Sequence, residues 1–135
     1  MVEVHIAYQG ELRCAATHMP SGTVLVTDAP TDNHGKGESF SPTDLVATAL
    51  GSCMMTVMAI VANSMGLDLT GTTVVVKKTM MAKPHRRIAS LEVAFNVPHV
   101  VDEATQQKLI AAAKSCPVHH SLHADIAMPI SFHWA

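Results

Sequence analysis

The sequence is dominated by one uncharged run, which extends from Leu45 to Leu67 without an Asp, Glu, Lys or Arg. Helix-start signals precede it: Ser41 can cap free backbone N–H groups, Pro42 suits the first helical position, and Asp44 completes a capping box. Gly66 supplies a stop signal. Because apolar or small side chains occupy nearly every face, we expect a long helix that is buried on all sides.

A run of this length must also be compared with a membrane span. Asp44 and Asp68 bracket it, no Lys or Arg anchors either end, and aromatic belt residues are missing. Gly, Ser, Thr and Asn interrupt it, and strand-like segments follow it. We therefore interpret it as the core helix of a soluble domain, with no membrane partner.

Composition indicates a single domain over residues 1–135. Hydrophobic residues make up 48% and charged residues only 15%, and this surplus of apolar surface favours a homodimer with a buried interface. A net charge of −2 argues against nucleic acid as a partner. The N-terminus reads as a strand rather than a signal peptide, and three cysteines do not make a disulfide scaffold. A cytoplasmic location is expected.

The first strands are predicted from alternating apolar residues, beginning with Val2 and ending with Tyr8. A three-residue hairpin loop at residues 9–11 would place Tyr8 opposite Leu12 and Ile6 opposite Cys14. On this interpretation Cys14 is a small hydrophobic residue of a strand face.

The remaining elements complete an α+β pattern with antiparallel sheet. A third strand is predicted over residues 23–27 and a hairpin over residues 72–80 and 88–97. A second helix over residues 103–115, capped by Asp102, precedes a last strand ending at Trp134. The loop over residues 28–40 carries Glu38 to the start of the long helix, so Glu38 is either a binding residue or part of a solvated connector.

Two cysteines lie at positions that a purely structural role does not readily explain. Cys53 is in the middle of the long helix, beside the small residues Gly51 and Ser52. Cys116 precedes Pro117, which makes it the N-cap of a short helix whose free N–H groups would stabilise a thiolate. If the fold brings them together, they can attack a weak O–O bond and cycle to a disulfide. Two inert core thiols are the alternative.

The segment after Cys116 offers a second chemistry. Cys116, His119 or His120, and His123 project to one side of a helix at a spacing that resembles a zinc-ligand set, which Cys53 could complete. A metal-binding protein is therefore an alternative to a redox protein.

Two motifs also resemble one known family. Phe40-Ser-Pro-Thr-Asp-Leu-Val-Ala-Thr-Ala-Leu-Gly-Ser-Cys53, followed by Ser115-Cys116-Pro117-Val118, resembles the OsmC/Ohr family of osmotically induced and organic-hydroperoxide-resistance proteins. The resemblance implies an OsmC-like fold, in which antiparallel sheets wrap around long central helices in an intertwined homodimer. It also implies a thiol peroxidase in which Cys53 reacts with the peroxide and Cys116 resolves the product.

One part of the family pattern is absent. The peroxidases place a Glu directly after the helix-start proline, where this chain has Thr43, and an Arg in the loop after the second strand, where residues 18–22 contain none. That pair lowers the thiolate pKa and orients the peroxide. Glu38 with Arg13, or with an arginine of the second hairpin (Arg86 or Arg87), is the candidate replacement. The chain thus resembles the OsmC-like branch more than the dedicated hydroperoxide reductases.

The sequence accordingly predicts a Cys-based enzyme that needs no cofactor or metal. It would reduce a small hydrophobic organic hydroperoxide in oxidative stress defence and would be reset by an external dithiol reductant. The predicted site residues are Cys53, Cys116 and Glu38. The alternatives are a non-catalytic OsmC-like binder of a small ligand, and a metal-binding protein that uses Cys116 with His119, His120 and His123.

Overall fold

A computed structural model describes all of residues 1–135. The chain forms two compact units, Met1–Val46 and Ala47–Ala135. Helix α1, Pro42–Ser64, begins in the first unit and continues in the second. Each unit contains a three-stranded sheet, so the predicted mixture of helix and sheet is confirmed.

The first unit is built on an antiparallel sheet in the order β1-β2-β3, with strands at Val4–Gly10, Arg13–His18 and Val24–Asp28. One 3₁₀ turn, Thr31–Asn33, interrupts the long connection from β3 to α1. Tyr8 and the other large apolar residues of β1 are exposed in the single chain. The sheet therefore presents an uncovered apolar face.

The predicted hairpin register is wrong. Tyr8 lies opposite Cys14, and Ile6 lies opposite Ala16. The reversal is made by Glu11 and Leu12, both with positive φ, and the register shifts between Tyr8 and Gly10. A two-residue turn with this left-handed backbone matches the twist of the strands, and the bulge absorbs the extra residue that parity alone assigned to the loop.

Helix α1 begins and ends at its predicted signals. The Asp44 N–H donates to Ser41 Oγ at 3.1 Å, and the Ser41 N–H donates to Asp44 Oδ2 at 2.9 Å, which closes the capping box. At the other end Gly66 has a φ of +75°. The Leu67 N–H returns to the carbonyl of Ala62 at 2.9 Å, as in a Schellman motif.

The faces of α1 differ in burial, contrary to the prediction of a helix buried on all sides. One face is buried and includes Leu50, Gly51, Met54 and Met58. The opposite face is exposed in the single chain and comprises Thr48, Ala49, Ser52, Thr56, Ile60 and Asn63. The sequence could not show this asymmetry because both faces are uncharged.

Gly51 lets α1 approach the sheet of the second unit. A Cβ at this position would lie 2.8 Å from Val76 Cγ2 and 3.5 Å from Val74 Cγ1. Because the first distance is shorter than real Cβ contacts allow, the close packing of helix on sheet requires glycine here. Gly51 therefore sets the distance between α1 and this sheet.

The sheet of the second unit has the order β4-β5-β6, with strands at Thr73–Met81, Arg87–Val97 and Ile130–Trp134. The hairpin β4–β5 is antiparallel, as predicted. Strand β6 departs from the predicted antiparallel pairing and runs parallel to β5. The connection from Val97 to Ile130 contains two helices and is long enough to return the chain for parallel pairing.

The core of the second unit lies on one face of this sheet. Leu91, Val93 and Phe95 are fully buried, and Phe95 stacks on Phe132 of β6 with ring centroids 4.6 Å apart. Helix α2, Glu103–Lys114, is capped by the Asp102 carboxylate, which accepts from the Thr105 N–H at 2.9 Å. Helix α3, Pro117–Ser121, follows at once. The helix and strand signals read from the sequence are confirmed here.

Helix α1 is long and apolar enough to cross a membrane by length and composition, and about a third of its apolar stretch is buried within the chain. Core helices of soluble proteins meet the same criterion, so this feature by itself is weak support for a membrane span.

Candidate functional site

The second unit brings Cys53 and Cys116 together. Cys53 lies in the middle of α1, and Cys116 lies between α2 and α3, with 62 residues separating them in the chain. Their side chains interact as hydrogen-bonding neighbours, and both are free thiols. Two sulfur atoms in such contact need little rearrangement to form a disulfide.

The backbone around Cys116 is that of a helix N-cap, as predicted. Cys116 is extended, with φ −65° and ψ 145°, and Pro117 occupies the first position of α3. Its Sγ accepts a hydrogen bond from the His119 N–H at 3.2 Å. Its carbonyl accepts from the His120 N–H, also at 3.2 Å. The short helix therefore holds the sulfur at a fixed position through main-chain groups.

The thiol of Cys116 is harder to ionise than an ordinary cysteine. Burial raises its pKa most, and the neighbouring Cys53, through hydrogen bonding and charge, raises it further. The backbone N–H groups of His119 and Val118 lower the pKa but do not offset burial. The N-cap geometry predicted from the sequence is thus present, whereas the thiolate that it was expected to stabilise is disfavoured in the reduced protein.

The two thiols differ in exposure. Cys53 is half-buried, whereas Cys116 is completely buried. Cys14, the third cysteine, is half-buried in β2 of the first unit, opposite Tyr8 and Thr27. The second unit therefore holds one adjacent pair of thiols, and the first unit holds the third thiol.

Glu38 lies in the first unit, in a charged cluster with Arg13 and Asp28. The Arg13 guanidinium forms two hydrogen bonds to the Asp28 carboxylate, at 2.7 and 2.8 Å, and a longer one of 3.4 Å to Glu38 Oε2. The Glu38 N–H also donates to Asp28 Oδ2 at 3.1 Å. Of the arginines considered from the sequence, Arg13 contacts Glu38.

Asp28 is the part of this cluster that the sequence did not single out. Its carboxylate is almost fully buried, with 1% exposure, and Arg13 holds its pKa below the usual range. Asp28 in turn raises the pKa of Arg13. The strand pairing Arg13↔Asp28 places the two residues side by side. Asp28 was missed because the register of β2 against β3 could not be predicted from the sequence.

The metal-binding alternative is not supported by the geometry. The structure brings no three His, Cys, Asp or Glu side chains together in a group that could hold a metal ion. Helix α3 ends at Ser121, so His123 lies beyond it, where its Nδ1 accepts from the Asp125 N–H at 3.0 Å. The prediction assumed that the helix continues to His123, and its early end separates the proposed ligands.

Comparisons with known proteins agree with this architecture. The family model for OsmC-like proteins matches residues 35–131. A crystal structure from Psychrobacter arcticus 273-4, of a protein named for osmotic stress induction and a detoxification response, has 44% identity and a TM-score of 0.94. That match covers 98% of this chain and 96% of the other. No curated protein sequence matches the chain.

More distant structures share the fold. An organic hydroperoxide resistance protein OsmC from Legionella pneumophila has 15% identity and a TM-score of 0.79, over 98% of this chain and 96% of the other. An organic hydroperoxide resistance protein from Elizabethkingia anophelis has 18% identity and a TM-score of 0.78, over 100% and 96%. On the family match and the 44% identity, this α+β chain belongs to the OsmC-like protein family.

Proposed function

We propose that this protein is a thiol-dependent peroxidase that reduces small organic hydroperoxides in oxidative stress defence. The observation that carries this proposal is the contact between the Cys53 and Cys116 thiols. In the proposed roles Cys53 is the nucleophile and Cys116 the resolving thiol. The buried Cys116 keeps its proton more tightly than an ordinary cysteine, which suits a group that reacts second.

The proposed reaction has three steps. The Cys53 thiolate attacks the terminal oxygen of the hydroperoxide, the O–O bond breaks, and the alkoxide takes a proton and leaves as an alcohol. Cys53 is now a sulfenic acid, which Cys116 attacks, releasing water and forming the Cys53–Cys116 disulfide. An external dithiol then reduces the disulfide and becomes oxidised to its own disulfide. No cofactor or metal takes part.

The family supports this proposal. Two of its structural relatives are named for organic hydroperoxide resistance, and the relative of 44% identity is named for detoxification. A small hydrophobic substrate suits the position of Cys53 in the uncharged part of α1. A cytoplasmic location suits a protein whose three cysteines are all free.

We assign Glu38 a supporting role in the same reaction. The family's peroxidases use an Arg–Glu pair, and the 3.4 Å hydrogen bond from Arg13 to Glu38 supports these two residues as the candidate replacement in this chain. Replacement Glu38→Gln keeps the shape of the side chain but removes its charge. If the pair serves catalysis, this variant loses peroxidase rate while its thiols and its fold remain unchanged.

We further propose that residues 1–135 act as one domain and that two copies form a homodimer. The exposed face of α1 carries no charged residue, and Ile60 on it is 61% exposed. The β1 strand adds Ile6 and Tyr8, which are 68% and 65% exposed. Surfaces of this kind are unusual for a small monomer, and a second copy would cover them.

Consumption of an organic hydroperoxide in the presence of a dithiol tests the proposed function. The Cys53→Ser variant should lose turnover, whereas Cys14→Ser, which changes the cysteine of the first unit, should retain it. Turnover that persists in Cys53→Ser would contradict the proposed nucleophile. A wild-type protein that consumes no hydroperoxide but copurifies with a small apolar molecule would instead indicate a non-catalytic binder.

A further inference from the structure

The two sulfur atoms of the proposed redox pair are not equivalent toward an external thiol. Cys116 has no exposed surface, whereas Cys53 is half-buried on α1. Attack on a disulfide requires an approach to one sulfur from the side opposite the bond that breaks, so access limits which sulfur reacts. Exposure therefore favours attack at Cys53.

Hydrogen bonding at the other sulfur leads to the same conclusion. Cys116 Sγ accepts from the His119 N–H at 3.2 Å, and the Val118 N–H also favours its charged form. In the interior of a long helix such as α1, by contrast, backbone N–H groups are used by carbonyls of the preceding turn. Cys116 is the sulfur that has main-chain N–H donors nearby. These donors stabilise the negative charge that develops on Cys116 Sγ when it leaves.

From this asymmetry, and building on the proposed function, we infer that a thiol reductant opens the disulfide at Cys53 and that Cys116 is the leaving group. The main chain at His119 is the positioning element, because its N–H lies on the sulfur that receives the electron pair. Cys53 is then the atom that meets both external reactants, the peroxide and the reductant.

The exchange moves two electrons from the reductant to the protein disulfide. The reductant thiolate forms a bond to Cys53 Sγ, the Cys53–Cys116 bond breaks, and its electron pair leaves on Cys116, which takes up a proton. The second thiolate of the reductant then attacks the reductant's own sulfur in the mixed disulfide. Cys53 leaves as a thiolate, the protein pair is reduced by two electrons, and the dithiol is oxidised to a disulfide.

Burial explains why the hydrogen bonds at Cys116 matter. Burial alone raises the pKa of this thiol and so makes it a poor leaving group, while the His119 and Val118 N–H groups act in the opposite direction. Those donors reduce this penalty without removing it, so access decides the point of attack, and access favours Cys53.

The test uses the full chain in a Cys14→Ser background and forms the disulfide with diamide, so that no hydroperoxide is involved. The oxidised protein is mixed briefly with glutathione, the freed thiol is capped with N-ethylmaleimide, and the protein is digested. Cleavage at Lys77 and Lys114, among other basic residues, separates the two cysteines for mass mapping. We expect glutathione on Cys53 and N-ethylmaleimide on Cys116, in at least about tenfold excess over the reverse.

A second measurement compares single-thiol proteins in the same background. Under native conditions N-ethylmaleimide should react with Cys53 in the Cys116→Ser variant at least about tenfold faster than with Cys116 in the Cys53→Ser variant. Glutathione found on Cys116, an equal mixture, or failure of diamide to form the disulfide would each overturn the inference. A Cys53 adduct in a protein that consumes no hydroperoxide would retain the inference and remove only the peroxidase proposal.

Discussion

The thiols of Cys53 and Cys116 are hydrogen-bonding neighbours, and a charge on Cys53 raises the pKa of Cys116. One thiol belongs to the longest helix and the other to the N-cap of the shortest. In the proposed cycle, this arrangement keeps Cys116 protonated while Cys53 reacts.

Removal of the resolving thiol should stop the cycle at a defined point. In Cys116→Ser, the Cys53 sulfenic acid has no neighbouring thiol with which to condense, so it should persist long enough to be trapped by dimedone. We expect steady-state turnover with a dithiol to fall by about tenfold or more, because recovery then depends on slower attack from solution. Peroxide consumption and the mass of the trapped adduct measure the two effects.

The Cys14→Ser variant is the matched control, since it removes one thiol and leaves the pair intact. It should show wild-type turnover and no dimedone adduct. An unchanged rate in Cys116→Ser would mean that Cys53 is reset without its neighbour.

The raised pKa of Cys116 predicts an alkaline loss of stability in the reduced protein. Unfolded cysteine ionises near pH 8.5, whereas the folded chain holds the Cys116 proton to higher pH. Between those pKa values the folded state binds more protons than the unfolded state, so the free energy of unfolding falls as pH rises. The stabilisation is complete below about pH 8 and lost as pH passes through the folded pKa.

Urea unfolding under reducing conditions, measured across this range, checks the sign. The slope should disappear in Cys116→Ser and remain in Cys14→Ser. A wild-type urea midpoint that rises between about pH 8 and 10 would contradict the direction of the shift.

The buried ion pair of the first unit predicts the opposite dependence at acid pH. Arg13 holds the pKa of Asp28 below its ordinary value, so the stability from this pair is present above the unfolded pKa of about 3.9. It is lost as pH falls through the lower, folded pKa. Asp28→Asn should therefore lower the urea midpoint at pH 7 and flatten its decline in acid.

Glu38→Gln is the control for this measurement, because Glu38 is the more exposed partner of the same arginine and its contact with Arg13 is longer. Exposed ion pairs contribute little to stability, so its midpoint at pH 7 should stay close to that of the wild type. Equal effects of the two substitutions would show that burial of Asp28 is not what matters.

The uncharged outer face of α1 predicts a specific loss of assembly. Ile60→Lys places a charge in the proposed interface and should weaken the dimer by at least about tenfold, because a buried charge without a partner is strongly disfavoured. Sedimentation equilibrium over a range of concentrations measures the change. Val100→Lys is the control, since Val100 is 89% exposed in the loop before α2 and lies on neither proposed surface.

If the wild-type protein sediments as a monomer, the homodimer proposal is wrong. If both lysine variants weaken the dimer equally, the interface lies elsewhere.

Local signals in the sequence were sufficient to predict most elements. Ser41 and Asp44 cap α1, Asp102 caps α2, and Cys116 caps α3, each through contacts within a few residues of the chain. Such contacts depend on the types of residues that are close in the chain, so they can be predicted from the sequence.

Non-local relationships were harder to predict. The bulge near Gly10 changed the β1–β2 register. The pairing that places Arg13 beside Asp28 belongs to β2 and β3, and it too depends on a register between separate strands. The parallel return of β6 depends on a connection of more than 30 residues, and no short pattern encodes its direction. The exposed face of α1 could not be distinguished from the buried face in the sequence, because neither face carries a charged residue.

The candidate site combines a local feature that the sequence predicts with non-local features that it does not. Spacing permitted contact between Cys53 and Cys116 but could not require it across 62 residues, and resemblance to the family supplied the pairing. The sequence did predict the N-cap position of Cys116. It did not predict that burial would outweigh the capping N–H groups, because burial is set by the packing of the whole second unit.

The most direct test of the account is a count of free thiols by mass under denaturing conditions, before and after one equivalent of an organic hydroperoxide. We predict the rapid loss of two thiols, with a Cys53–Cys116 disulfide mapped after digestion and Cys14 unmodified. Survival of all three thiols would contradict the account, since adjacent thiols that do not react with a hydroperoxide do not form a peroxidase site.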